Sequence, residues 1–224
     1  MSGLINEQFD CYFVTKGVLD ILLAGGWRHF GTYFFRYDSH LKDEEIVNVL
    51  PLRVNLAKSM FSKSQKNLFK KNEGLEVVIR PTRIDDEKEE LFYNHVTKFE
   101  ENIPSSLYEF LSDDPDRIPC ENVEICLYHE DRLIAASFLD IGDNSTSAVY
   151  AMYDLNESKR GLGIFTTLLE IQYSIQLGKK YYYLGYAYET PSFYDYKKNY
   201  HGLEYYDWRG AWDPYPKGGV YFGV

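Results

Sequence analysis

SAVYAMYDLNESKRGLGIFTTLLEIQYSIQLG, residues 147–178, is the stretch on which the fold turns. Ser147 to Leu155 is short and β-prone, and it ends where Asp154 precedes a turn. The following run opens on glycine. From Gly161 to Leu177 it carries Ile164, Leu168, Ile171 and Ile175 as the buried side of a helix, before Gly178 stops it. Strand gives way to helix at Lys159-Arg160-Gly161-Leu162-Gly163, two cations beside two glycines. Free N–H groups at a helix start attract phosphate or a developing oxyanion, and glycine lets a ligand approach the backbone. An ordinary strand-to-helix turn uses the same letters. The missing third glycine and the strand context argue against a dinucleotide fingerprint.

Working outward, Val123 to His129 and Arg132 to Asp140 read as strands, and the short gaps Glu130-Asp131 and Gly142 to Thr146 join them to Ser147–Leu155 as a β-meander. Leu75 to Arg80 is a further strand. Asp85 caps a helix with an acidic first turn and an apolar face of Leu91, Phe92, Val96 and Phe99. Tyr181 to Tyr188 supplies a strand after the glycine-opened helix. At the other end, residues 5–24 suit a helix, with Phe9, Phe13, Leu19, Leu22 and Leu23 among its apolar positions and Gly25-Gly26 ending it. Trp27 to Tyr37 then reads as one aromatic strand. Strand, helix, meander, glycine-opened helix and strand is the layout of the GNAT acyltransferase fold. In that fold a splayed strand pair and the helix N-terminus hold the acyl donor. The expectation is an α/β (α+β) chain with a mixed sheet. Residues 1–74 would form a smaller N-terminal lobe, and residues 75–224 the GNAT-like domain.

Charge adds a second signal. The chain has 34 acids against 24 Lys and Arg, a net charge of −10, yet Ile46 to Asn72 holds Arg53, Lys58, Lys63, Lys66, Lys70 and Lys71 and no acid. A local basic surface on an acidic protein suits a polyanion such as a nucleic acid, although a solvated lysine face gives the same pattern. Ser62 and Gln65 form a capping box there, Lys70 and Lys71 oppose the helix dipole in the last turn, and Lys63, Lys66 and Lys70 share a face. No run of about 18 apolar residues is present to span a membrane, and the N-terminus does not read as a signal peptide. A soluble, cytoplasmic protein is expected. Cys11, Cys120 and Cys126 lack paired ligand spacing and read as reduced thiols. The five histidines show no HExxH, no GxSxG elbow occurs, and Asp113-Asp114-Pro115-Asp116 reads as a turn. Tyrosine is in excess at 21 residues, many in the last third, where rings and hydroxyls can line a pocket.

Several blocks carry a family resemblance. They are GWRHFGTYFF (Gly26 to Phe35), Pro51-Leu52-Arg53-Val54 with Phe61 to Asn67, SAVYAMYDL, RGLGIFTTLLEIQ, YYYLGYAY (Tyr181 to Tyr188), and Asp195 to Tyr200 with Glu204. In this order and at this spacing the chain resembles the arginyl-tRNA-protein transferases and their bacterial leucyl relatives. These enzymes move an aminoacyl group from tRNA onto a protein N-terminus. The resemblance implies transfer of arginine or leucine to an acceptor with N-terminal Asp or Glu. Aminoacyl-tRNA would be the co-substrate, with no other cofactor and no membrane partner. Asp154, Tyr153 and Tyr186 are the candidates to receive the acceptor's ammonium proton. Arg160, Gly161, Leu162, Gly163, Tyr196 and Lys197 are expected to bind the donor, and Trp27 and Arg28 the acceptor. Arg53, Lys58, Lys63, Lys66, Lys70 and Lys71 would bind tRNA. Each has a plain structural alternative: a turn aspartate, strand tyrosines, and a buried aromatic with a snorkelling arginine.

One departure stands out. The family commonly carries a cysteine-rich element between the positions of Tyr37 and Pro51, where this chain has Asp38-Ser39-His40-Leu41-Lys42-Asp43-Glu44-Glu45. Only Cys11 could be a remnant. Without thiolates the soft ligands for zinc or an iron-sulfur cluster are lost, so no metal is expected. Two other readings fit parts of the sequence: an acyl-CoA N-acyltransferase, and a non-catalytic module binding tRNA or peptide. The lysine helix and the Tyr196-Lys197 block speak against the first, since a CoA enzyme needs neither.

Overall fold

The computed structural model describes residues 4–42, 44–216 and 219–220. It begins with strand β1 (Asn6–Asp10) and helix α1 (Lys16–Ala24), followed by strands β2 (Arg28–Phe30) and β3 (Tyr33–Tyr37). The helix expected over residues 5–24 is thus a strand followed by a shorter helix. Residues 6–10 satisfy their backbone against β3, from Asn6↔Tyr37 to Asp10↔Tyr33, and Thr15 caps α1 by accepting from the Val18 N–H. Phe13, one of the apolar positions of that expected helix, is 69% exposed, while Leu19 and Leu23 are buried. Trp27 to Tyr37 is likewise two short strands, turned at Gly31, whose φ is 50°.

Strands β4 (Ser39–Lys42) and β5 (Glu45–Asn55) make a hairpin, and Asp43 between them lies outside the described residues. Next come α2 (Lys63–Lys71), β6 (Glu76–Pro81), α3 (Asp86–Val96), β7 (Asn122–His129), β8 (Arg132–Ile141) and β9 (Ser145–Tyr153). The chain ends with α4 (Leu162–Gln176), β10 (Tyr181–Tyr188), β11 (Leu203–Tyr206) and β12 (Trp212–Pro214). The order β12-β11-β5-β10-β9-β8-β7-β6 forms the main sheet, with β4 added on β5, and β1-β3-β2 forms a small second sheet. The fold is mixed α+β, as the element pattern predicts. Strand β5, from before Gly74, lies between β10 and β11 inside the sheet that the rest of the chain builds.

Alternation along the strands gives the main sheet two covered faces. Ile125, Leu127 and Ala135 pack with Leu162, Phe165 and Leu169 of α4, whereas Cys126, Ala136 and Phe138 pack with Leu91, Phe92 and Val96 of α3. On α4, Leu168 and Ile171 are buried as predicted, but Ile164 and Ile175 are 41% and 46% exposed. The true buried face is broader and includes Thr166, Glu170 and Ser174, whose polar atoms are bonded internally; Ser174 Oγ, for example, lies 2.6 Å from Thr146 Oγ1. Among the described residues no helix is long and apolar enough to cross a membrane.

Two local features position the site. Strand β10 runs parallel to β9 only through Tyr181, Tyr182 and Tyr183, yet stays paired with β5 as far as Tyr188, with a bulge between Tyr183 and Gly185. Gly185 has φ +86°, a conformation that L side chains rarely adopt, so β10 bends away from β9 there. Helix α2 is fixed nearby. Both capping-box bonds form (Ser62 N–H to Gln65 Oε1 at 2.8 Å, Gln65 N–H to Ser62 Oγ at 3.3 Å). Gln65 Nε2 then donates to Asn199 O at 3.4 Å, Asn72 Nδ2 to Arg160 O at 3.1 Å, and Lys71 to the carbonyl of Lys159.

Arg53 serves the sheet. It is 8% exposed, pairs with Glu204 Oε2 at 2.8 Å, and has its guanidinium 3.8 Å from the Tyr181 ring centroid and 4.3 Å from that of Trp212. Removing one partner of a buried pair strands the other charge. Glu204→Ala is therefore expected to destabilise the chain by about 3–5 kcal/mol, measured as a fall in the urea midpoint at unchanged m-value.

Candidate active site

Where β9 and β10 part, a cleft of about 750 Å³ opens between them and is closed at one end by the start of α4. One wall carries His95, Phe110, Tyr150 and Tyr153, and the other Tyr37, Tyr186, Tyr188, Tyr194 and Tyr196. The tyrosine excess of the sequence thus lines this space. Gly161 precedes α4 at φ 68°, and no side chain caps the helix, so its first N–H groups remain available at the cleft end. Gly163 faces the opposite wall closely: a Cβ there would lie 3.2 Å from Tyr153 Cε1. Tyr150 Oη is buried without a partner among the described groups, a cost that a substrate hydrogen bond would relieve.

Charge enters the cleft from three elements. Arg28 of β2 is 8% exposed and donates to Ser147 Oγ at 2.6 Å and to the carbonyl of Ala148. Burial lowers its pKa and Asp140 opposes the shift; guanidinium remains charged at any working pH. Lys197 donates to Tyr186 O at 3.2 Å, and burial, with Arg28 beside it, pulls its pKa down to about 7. Both cations border Gly185, where an added Cβ would meet Lys197 Nζ at 3.3 Å and Arg28 at 3.6 Å. Glu170 of α4 lies on the floor, 2% exposed, accepting from the Tyr182 hydroxyl; burial raises its pKa to about 7 against that bond. At the rim, Lys98 lies over the Tyr153 ring at 4.6 Å, and burial brings it to about 8.

Of the expected catalytic groups, Tyr153 and Tyr186 line the cleft and Asp154 does not. Asp154 begins the turn after β9, accepts from the Asn156 N–H at 2.9 Å and pairs with Arg132. Burial opposes its ionisation, but the Asn156 and Arg132 bonds hold the carboxyl below the usual range, leaving it a weak base. Tyr186 donates its hydroxyl to Gly26 O at 2.7 Å, and burial pushes its pKa up. Among the donor residues, Gly161, Leu162, Gly163, Tyr196 and Lys197 line the cleft, while Arg160 turns to Glu157 at 2.7 Å and His129 at 3.3 Å. Arg28 lines the cleft, whereas Trp27 packs with Phe9 and Arg36. Lys58, Lys63, Lys66, Lys70 and Lys71 are exposed; Arg53 alone of that set is buried and presents no charge to solvent.

Glu170 and Lys98 escape a reading of the sequence. An acid inside the apolar side of α4 was the available signal for Glu170, whereas nothing local marks Lys98. A second convergence is also invisible in sequence spacing. His29 Nε2, Cys120 Sγ and Asp140 come within 4.8 Å of one another, all buried, a set of donor atoms that could hold a metal ion. Their hydrogen bonds are also met internally: Asp140 accepts from Asn122 Nδ2 at 2.9 Å and Cys120 Sγ at 3.4 Å, and lies 2.9 Å from His29 Nε2. Three donors are one short of the four of a structural zinc site. Cys120 and Cys126 are buried thiols whose pKa values burial pushes up.

A splayed strand pair with an uncapped helix N-terminus at its mouth is the arrangement of a GNAT-like fold. Residues 87–207, more than half of the chain, match the family model for "Arginine-tRNA-protein transferase, C terminus". The chain belongs to this family of aminoacyltransferases. An "Aspartate/glutamate leucyltransferase" of Campylobacter jejuni is 29% identical over 191 residues, 83% of this chain and 78% of that protein. One of the same description from Acinetobacter baumannii is 31% identical over 187 residues, 80% of this chain and 66% of that protein. Among solved structures, L-PGS from Bacillus licheniformis shares the fold at a TM-score of 0.52 and 14% identity, over 81% of this chain and 54% of that one.

Gly185 tests the geometry of the cleft. Gly185→Ala is expected to cost about 1–3 kcal/mol from positive φ alone, seen as a lowered urea midpoint, because the bulge cannot relax without moving β10.

Proposed function

We propose that this chain transfers leucine from leucyl-tRNA to the N-terminal α-amine of proteins or peptides that begin with Asp or Glu, in the cytoplasm, where aminoacyl-tRNA is made. The observation that carries the reading is the attachment of α2. Its exposed lysines sit on a helix bonded at one end to the turn before α4 and through Gln65 to the Tyr196-Lys197 turn, so a basic surface adjoins both rims of the cleft. A tRNA lying on Lys63, Lys66 and Lys70 would bring its 3′ end to that opening. On this reading the segment 1–74 supplies the tRNA-facing helix, and 75–224 most of the transfer site.

The cleft also fits the chemistry. An aminoacyl ester is already activated, and holding it against an amine in attack geometry contributes roughly 7–11 kcal/mol at best. The free N–H groups of Leu162 and Gly163 are suited to the ester's oxyanion or to a terminal phosphate. Arg28 offers a fixed cation for the acceptor's acidic side chain. Leucine is favoured over arginine as donor by the names of the two relatives and by the floor of the cleft, where Glu170 is buried and bonded to Tyr182 among aromatic and aliphatic side chains, while the other lining carboxylate, Glu101, is exposed.

The test is transfer itself. Purified chain incubated with radiolabelled aminoacyl-tRNAs and peptides of varied N-terminus is expected to label Asp- and Glu-initiated peptides from leucyl-tRNA. Labelling from acetyl-CoA with none from any tRNA would overturn the reading. A further expectation follows from α2. Changing Lys63, Lys66 and Lys70 together to Glu should weaken tRNA binding and flatten its salt dependence, by about 0.7–0.9 in log–log slope per lost phosphate contact. Wild-type affinity and slope in that variant would leave the helix a solvated face.

A further inference from the structure

Lys197 differs from the lysine beside it. Lys198 pairs with Asp195 at 2.7 Å, whereas among the described residues no carboxylate lies within ion-pairing distance of Lys197 Nζ. Its three protons have one backbone acceptor, Tyr186 O at 3.2 Å, and the face of Tyr194 at 5.0 Å. The Nζ lies against Gly185 at the point where β10 leaves β9, so it stands in the angle of the splay, where a donor ester held at the start of α4 would meet an acceptor amine. Two of the three expected proton acceptors are not free for the role: Asp154 is outside the cleft and ion-paired, and Tyr186 has its hydroxyl committed to Gly26.

We propose that Lys197 is the proton shuttle of the transfer, an assignment that rests on aminoacyl-tRNA transfer being the reaction. The acceptor amine arrives neutral, its ammonium proton released to solvent. As its nitrogen bonds to the ester carbonyl carbon, the proton that nitrogen sheds passes to Lys197 Nζ. As the bond from that carbon to the ribose oxygen breaks, Nζ returns the proton to the oxygen. The products are an amide and a free ribose hydroxyl, and the lysine is regenerated.

The charges around Nζ agree with this role. Arg28 faces it from β2 as a fixed cation, Glu170 from α4 is an acid raised to about 7, and the Tyr182 and Tyr186 phenols of β10 have pKa values raised by burial. Tyr194 contributes its ring. Burial first and Arg28 second bring Lys197 to about 7, so the amine is protonated below that pH and free to accept a proton above it. Base strength near the working pH is the condition for efficient proton transfer.

The pH profile of kcat/KM separates a shuttle from a fixed cation. With wild type, two groups must be deprotonated, Lys197 near 7 and the acceptor amine at about 7.7–8.0, so log kcat/KM should approach a slope of two below both values. Lys197→Arg and Lys197→Gln should each fall about 10²–10⁴-fold at pH 8 and keep only the amine's slope of one. Added methylamine should restore part of the rate to Lys197→Ala. Lys197→Arg within about threefold of wild type, or a slope of two in Lys197→Gln, would overturn the assignment and leave the lysine a positioning cation. Should the variants fail to fold, competitive acetylation of wild type reads the same group. A reactivity midpoint near 7 is expected for Lys197, and an ordinary lysine value of about 10.4 would overturn it. No transfer by wild type from any aminoacyl-tRNA would sink the proposed function and the shuttle together; transfer with an active Lys197→Arg would sink the shuttle alone.

Discussion

Three residues of parallel pairing, Tyr181 to Tyr183 against Ser145 to Ser147, are all that join β10 to β9. The remainder of β10 follows β5, and the bulge before Gly185 makes the change of partner possible. Everything that acts in the cleft depends on this divergence. Had the parallel pairing continued, the backbone of Gly185 to Tyr188 would bond to β9, and the walls would meet. Instead β5 satisfies one edge of that backbone while the other faces the cleft, where Tyr186 O receives Lys197. The strand supplied from before Gly74 is therefore what holds the opening apart.

The electrostatics follow from the same geometry. A wedge between strands is narrow and walled by rings, so cations within it are taken out of water without a carboxylate at contact distance. Desolvation disfavours charge, and the amine, unlike the guanidinium, can shed it. Arg28 and Lys197 occupy one corner of the cleft with different answers to the same environment. The burial that makes the cleft a good place for acyl transfer also brings a lysine toward neutrality.

The parts of the fold that were legible in the sequence are those where a local rule and the tertiary contacts agree. The capping box at Ser62 and Gln65, the Asp85 cap, the meander gaps and the Gly161 and Gly178 punctuation all rest on backbone hydrogen bonds reaching only a few residues. Residues 5–24 failed that condition. Phe9 and Phe13 mimic a helical stripe, and only the distant edge of β3 makes residues 6–10 extended. In the site, the glycine-led turn and the Tyr196-Lys197 pair could be picked out as motifs. Glu170 and Lys98 could not, because their roles come from the far wall of a cleft that exists only once β9, β10 and α3 are assembled. Arg53 shows the converse: a residue in a basic run, indistinguishable by composition from its neighbours, is drawn inward by Glu204, which lies 151 positions later.

That separation also bears on how the chain is made. Strand β5 leaves the ribosome well before its two neighbours in the main sheet, β10 and β11, which come more than a hundred residues later. At about 5–20 residues per second the ribosome leaves it without them for on the order of ten seconds. Its apolar sequence, EIVNVLPLRVN, is the kind of exposed edge that invites pairing with other chains. The β4 hairpin covers only its first four residues during this interval. Nascent-chain folding should thus be governed by long-range sheet closure, a slow process for a protein of this size, with the interior strand as its most aggregation-prone segment.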